Sequence, residues 1–383
     1  MLKVCGVTYD HSTNYGSFFQ AYALGRAIEE SHAGGGSYRY ALAGLSTLRG
    51  RPREKNKTLR ARISRAASRR LQSLVYRFSF SGFDRAHMRY MPIRSYRDLP
   101  RLNDMADAFV CGSDVIWNTD FNRGLDAYYL GFAKKYKFAY SASFGRSVNI
   151  GISDQNAAHL RELDEISCRE DTGCDKVEQI TGRRPVKAAD PVFLLKKEEW
   201  EQVAAEGARR LPEHYIFVYN TYRSPLYEAV INKLSAQTSL PVIRTTWRYE
   251  NAVKQGIFRM PSPQEWLYCL GRADYVVTNS FHGTAFSLLF QRKFFTTMPG
   301  GPLKGANIRI WEILDRLGLK ERIIFTDQDP ISTQDVDYSA ADVSLEAFRA
   351  DSLAYLERNL EAAWRRKEAE KQLSSVNVAG GAD

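Results

Sequence analysis

Nothing in this 383-residue chain approaches the roughly eighteen consecutive apolar residues that a membrane-spanning helix requires. The amino terminus runs from Met1 straight into strand-like Leu2 to Val7. It lacks the apolar region and small-residue cleavage site of a signal peptide, which places the protein in the cytoplasm. Cysteine is scarce: Cys5, Cys111, Cys168, Cys174 and Cys269 form an odd, scattered set without a CxxC pair. They read as reduced thiols, and Cys168 with Cys174 is too sparse a pattern for a metal site. The motifs GxxxxGK[ST], HExxH, GxSxG, the kinase HRD and DFG pair, and GxGxxG after a strand are all missing. There is therefore no sequence basis for a Walker ATPase, a zinc hydrolase or a dinucleotide cofactor, and no metal or cofactor is expected. Gly34-Gly35-Gly36 follows the first helix instead of joining strand one to it, so it reads as a connector.

What is present is a globular composition, 44% hydrophobic and 26% charged, long enough for two domains. The formal charge is +10, and it is concentrated. Arg49 to Arg70 holds ten basic residues against one acid, Glu54, and so carries nearly the whole excess. From Leu59 the apolar positions Ile63, Ala67, Leu71, Leu74, Val75 and Phe78 recur at helical spacing between arginines. Such a helix can be solvated with its apolar face on the body, or it can meet an anionic membrane or a lipid-linked anionic substrate. No nucleic-acid-binding motif accompanies the charge.

Leu2 to Tyr9 reads as a strand, the polar turn Asp10 to Gly16 follows, and a helix is predicted over Ser17 to Glu30 with Phe18, Ala21, Tyr22, Leu24, Ala27 and Ile28 on its buried face. Ala106 to Cys111 and Lys137 to Ser141 repeat the strand-into-polar-loop device. A second α/β series starts at Tyr215, with a buried strand over Tyr275 to Val277 and a helix over Thr284 to Phe290. The final helix is expected over 344–372, followed by a mobile polar tail over 373–383.

His282 stands between a strand and an apolar helix, where open sheets hold ligands. Two readings are open locally: a proton-transfer group, or a capping or packed histidine. Asn14-Tyr15-Gly16-Ser17 occupies the matching place after strand one; it can present polar groups to a sugar or phosphate, or merely shape the turn and cap the helix. Gly112-Ser113-Asp114 with Trp117 and Asn118 is a third polar cluster, in which Trp117 either stacks on a sugar or belongs to the core. Among the arginines, Arg169 has a simple ion pair with Glu170 or Asp171 as its alternative. Arg309 opens a helix, where the dipole disfavours a cation, so its position calls for another reason.

These residues carry a resemblance to the polysaccharide pyruvyl transferase family. Its NYG-S-x-x-Q-A-Y-A-L stretch is matched by Asn14 to Leu24, GSD-x-x-W-N by Gly112 to Asn118, YxxSFG by Tyr140 to Gly145, S-x-RE by Ser167 to Glu170 and DP-x-x-LL by Asp190 to Leu195. Ala273 to Ser287, Asn307-Ile308-Arg309 and Leu317-Gly318-Leu319 extend the match, which covers roughly residues 4 to 360. The resemblance implies an α/β protein of two Rossmann-like domains facing across a cleft, in a GT-B-like arrangement with a closing C-terminal helix. The N-terminal domain would span 1–198, including the basic segment 49–80, on the acceptor side; the C-terminal domain would span 199–343 on the donor side. It further implies transfer of the enolpyruvyl carbons of phosphoenolpyruvate onto two hydroxyls of a polysaccharide or lipid-linked sugar, forming a cyclic ketal and releasing phosphate. The family's central histidine maps onto His282. Several members carry an arginine two residues earlier, where this chain has Ser280, so Arg309 or Arg169 would supply that charge. Ser280, Gly283 and Thr284 join them as donor-side candidates. Asn14, Tyr15, Gly16, Ser113, Asp114 and Trp117 are the acceptor-side candidates. The partners expected are phosphoenolpyruvate, a glycan acceptor and, through the basic segment, the inner membrane surface. The alternatives are a GT-B-type glycosyltransferase using a nucleotide sugar and a non-catalytic glycan-binding or assembly protein.

Overall fold

The computed structural model describes residues 1–49, 70–119, 125–145, 151–246, 260–301 and 308–379. Leu2–Val7 forms β1, paired in parallel with β2 (Tyr38–Leu42) on one side and β3 (Ala108–Cys111) on the other. Val4 is opposite both Tyr40 and Ala108. With β4 (Tyr136–Ala142), β5 (Glu165–Cys168) and β6 (Val186–Lys187), the order is β2-β1-β3-β4-β5-β6. A second sheet is built from β7 (Ile216–Asn220), β8 (Val242–Thr246), β9 (Tyr275–Thr278), β10 (Lys293–Thr297) and β11 (Ile323–Ile324), ordered β11-β10-β9-β7-β8. All the pairings are parallel, and the central strands are buried throughout, as they must be when helices cover both faces. Each sheet changes direction beside its first strand, between β1 and β3 and between β7 and β9. A crevice opens at the carboxyl ends of the strands at such a point.

The helices that matter for the site are α1 (Tyr15–Glu30), α2 (Ser81–His87), α3 (Asp171–Thr181), α4 (Pro263–Gly271), α5 (Phe281–Leu289), α6 (Ile308–Arg316) and α7 (Ser339–Ala379). The first helix begins two residues before the predicted Ser17, because the Asn14 side chain caps it by accepting from the Gly16 amide. It is buried almost all round, with Tyr15, Phe19 and Ala23 inside as well as the predicted face. The reason is the second sheet. Tyr15 stacks on Trp266 of α4 at 5.3 Å between ring centres, and Phe19 meets Phe286 of α5 edge-on at 5.1 Å. One apolar core thus joins α1 to the helices of the second sheet.

The last helix returns to the first sheet, where the Tyr355 hydroxyl donates to the Ala139 carbonyl at 3.0 Å and Leu356 and Leu360 are fully buried. Two parallel α/β sheets, joined by a shared core and closed by this helix, form the expected GT-B-like architecture. The helix is longer than 344–372 at both ends. Asp337 accepts from the Ser339 amide and sets an earlier start. Residues 373–379, read as tail, continue the helix because no glycine or proline interrupts the chain before Gly380-Gly381, and 380–383 lie outside the described residues. Most of the basic segment 49–80 also lies outside them; residues 70–75 are helical and lead through a π-helical turn, Tyr76–Phe80, into α2.

Candidate functional site

Six segments bring charged or polar side chains to the carboxyl ends of the strands. The tip of β3 does so through a glycine: Gly112 has φ +115°, and a Cβ there would come within 2.1 Å of the Tyr140 carbonyl oxygen. The loop it starts is held by Gln20 of α1, whose Oε1 accepts from the Ser113 amide at 2.9 Å while its Nε2 donates to Thr8 Oγ1 and the Ser17 carbonyl. Ser113 is buried, donates to the Ser141 carbonyl and accepts from Arg169 Nη2 at 2.5 Å. Asp114 accepts from Ser17 Oγ at 2.5 Å and from the Val115 amide, and Arg309 Nη1 lies 3.8 Å from its Oδ1.

Asp190, just beyond β6, is the hub. Its Oδ2 is 2.6 Å from Arg169 Nη2 and 3.2 Å from His282 Nε2, while its Oδ1 accepts from the Val192 amide. Burial alone would raise its pKa. The Arg169 charge, His282 and the Val192 amide outweigh that effect and hold the carboxyl down at about 2, so it is ionised near neutrality. Asp114 is held low in the same way, with burial opposed by Arg169, His282, Arg309 and the Ser17 hydroxyl. Arg309 is pushed down by burial and by Arg169, a second cation close by.

Buried N–H groups are left over. Among the described residues, Arg169 Nε and Nη1 and Arg309 Nε have no hydrogen-bond partner, and both guanidinium groups lie over the Phe281 ring, 5.0 and 5.4 Å from its centre. Buried polar groups are rarely left unpaired, and guanidinium N–H groups in this state suit an incoming carboxylate or phosphate. A narrow cleft opens beside them, lined also by Lys187, Glu312 and Arg316. The first turn of α6, which carries Arg309, is fastened to the other sheet by Glu312. This carboxylate takes the Lys187 ammonium at 2.6 Å and the Asp171 amide at the start of α3 at 3.1 Å.

The cap of α5 is Ser280, whose Oγ accepts from the Gly283 amide at 3.4 Å, so the capping alternative for His282 does not hold. His282 instead reaches Asp190 on the other sheet with one ring edge and lies on Gly16 with the other, where an added Cβ would sit 1.9 Å from Nδ1. The matching loops of the two sheets are therefore in contact. Asn14 is half-buried, with the Tyr219 hydroxyl 3.5 Å from its Oδ1.

Four candidates turn away from the cleft. Tyr15 is fully buried on Trp266 with its hydroxyl on the Pro261 carbonyl, and Trp117 is fully buried between Tyr129 and Phe144 with Nε1 on the Tyr128 carbonyl. Neither has a face for a sugar, because each ring fills core space. Gly283 backs onto Thr278, and the Thr284 hydroxyl is spent on the Ser280 carbonyl and Thr296. Ser113 and Asp114, assigned to the acceptor, instead share one charged cluster with Arg169 and Arg309. Two supporting residues escaped the residue-by-residue reading. Asp190 had the signal of the Asp-Pro step in DP-x-x-LL, and Gln20 that of a polar residue inside an apolar helix stretch.

The family model described as polysaccharide pyruvyl transferase matches residues 14–297, a span that contains every member of this cluster except Arg309. The chain belongs to the polysaccharide pyruvyl transferase family. No curated protein matches it. Among solved structures, it is similar to the UDP-GlcNAc 2-epimerase from Methanocaldococcus jannaschii (10% identity, 90% of this chain and 92% of that one, TM-score 0.45). It is also similar to an S. aureus MnaA-UDP co-structure (11% identity, 89% and 94%, TM-score 0.43) and to the E. coli heptosyltransferase WaaC with ADP (12% identity, 92% and 100%, TM-score 0.38). Among the described residues, no helix is long and apolar enough to cross a membrane.

Proposed function

We propose that this transferase uses phosphoenolpyruvate to build a cyclic pyruvate ketal on a sugar of a polysaccharide or lipid-linked glycan precursor. The observation that carries the reading is the pair of buried guanidinium groups with unpaired N–H donors beside the His282–Asp190 pair. Phosphoenolpyruvate presents a carboxylate and a phosphate, and Arg169 and Arg309 supply two cations that keep their charge. In the first step the π electrons of the C2=C3 bond take a proton from His282, making C3 a methyl group and C2 an oxocarbenium-like centre. One sugar hydroxyl adds to C2 and loses its proton. The C2–O bond to phosphate then breaks, and the second hydroxyl closes the ring as it loses its own proton. Of the two protons released, one restores His282 and the other balances the departing phosphate. Asp190 fixes the ring through Nε2, and the buried cations stabilise the charge that gathers on the phosphate as it leaves.

The test is incubation of the purified protein with phosphoenolpyruvate and a panel of soluble and lipid-linked glycans, read by product mass and phosphate release. An acidic ketal formed with equimolar phosphate is the expected product. Addition of a sugar from a nucleotide sugar would identify a glycosyltransferase, and glycan affinity without turnover of either donor a binding protein.

A further inference from the structure

We propose that the outward face of residues 70–85 is a docking surface for an anionic membrane. Phe78 is 81% exposed, the most exposed large apolar side chain among the described residues, and Leu74, one turn before it, is 50% exposed. Arg70, Arg77 and Arg85 are exposed on the same segment, and Gly82 between them has open space around it. The only acid in 70–87 is Asp84, which is buried and accepts from the Tyr90 hydroxyl. The outward face therefore combines two apolar side chains with three cations, and among the described residues no acid of 70–87 lies exposed on it, the pattern of a helix that lies in a lipid headgroup region. By sequence, Arg49 to Arg70 brings further positive charge into this segment. Charge complementarity selects the occupant, because a neutral partner would leave the arginines unmatched and a polyanion without an apolar phase would leave Leu74 and Phe78 in water.

The platform is firmly seated. Phe80 and Phe83 are buried against Phe18, Gln72 Nε2 donates to Thr13 Oγ1 at 3.3 Å, and Ser79 Oγ donates to the Met260 carbonyl at 2.9 Å. The segment thus packs on the Thr13 to Gly16 loop that meets His282.

Vesicle sedimentation tests this without requiring turnover. The full chain, the double variant L74E/F78E and the triple variant R70Q/R77Q/R85Q are mixed with vesicles rich in phosphatidylglycerol or made of phosphatidylcholine alone. Wild type should sediment with the anionic vesicles, more strongly at low salt, and each variant should bind roughly tenfold or more weakly. Circular dichroism melts matching wild type would show that the variants fold. Equal binding of wild type and the double variant, no binding by wild type, or equal binding to both lipids would overturn the proposal. So would tighter binding to single-stranded RNA than to anionic vesicles, or a dimer in wild type that the double variant abolishes, since either would assign the face to another partner.

Discussion

His282 and Asp190 act as a pair that spans the two sheets, so each is best tested with the other in view. Under the proposed reaction, H282A should lower turnover at least about a hundredfold, the ordinary scale of a positioned proton transfer, with the protein still folded. Near-normal turnover would remove His282 from that step. D190N leaves Arg169 buried without its carboxylate and should cost about 3 kcal/mol of stability at neutral pH. The pH dependence has a definite sign. Asp190 is held at about 2 against an ordinary 3.8, so its stabilising effect is complete above 3.8 and is lost as the pH falls toward 2. Denaturant midpoints of wild type and D190N should therefore converge over that range, and a constant gap would contradict the assignment. His282 stands out in the sequence by its place between a strand and an apolar helix, which leaves proton transfer and a capping or packed role both open; its contact with Asp190 across the sheets is not readable there. Trp117 takes the core reading left open for it, and Tyr15, an acceptor-side candidate, also fills the core; an aromatic ring beside a polar loop looks the same in sequence whether it faces a cleft or fills the core behind it.

At the scale of elements, the positions of α1 and α6 set the surroundings of His282 and Arg309. Gly16 gives α1 room for the His282 ring, and G16A, which forces a methyl group onto Nδ1, should reduce turnover by about tenfold or more while leaving the helix intact. Glu312 holds the first turn of α6 across the cleft through Lys187 and the Asp171 amide. E312Q should raise the KM for the donor severalfold with a smaller change in kcat, because it loosens the position of Arg309 without touching the reacting atoms. An unchanged KM would make this contact a local ion pair only. The strand-loop-helix units were readable from alternation and polar loops. Their boundaries moved where caps decided them, at Asn14 for α1 and Ser280 for α5. A cap depends on which side chain bends back to the backbone, and apolar spacing does not report that.

The whole molecule is held together by an aromatic core that belongs to neither sheet alone. Phe286 lies 5.1 Å from Phe19, 4.9 Å from Trp200 and 5.5 Å from Trp266. F286A should cost about 3–5 kcal/mol and should do so in one transition seen alike by tryptophan fluorescence and circular dichroism. Two separated transitions would mean that the sheets melt independently. This core explains why α1 is buried on faces that its own domain does not cover. Sequence periodicity registers burial but not which partner provides it, so the inter-sheet contact was hidden while the two α/β series were plain. The same contact brings residues 14–16 to His282, and the proposed chemistry depends on that closeness. The most direct measurement follows phosphoenolpyruvate labelled with ¹³C at C2 through a reaction with a glycan acceptor, recording the carbon spectrum and the phosphate together. The account predicts a quaternary ketal carbon in the glycan, one phosphate released for each ketal, and neither with H282A. Consumption of a nucleotide sugar with no label in the glycan would contradict it.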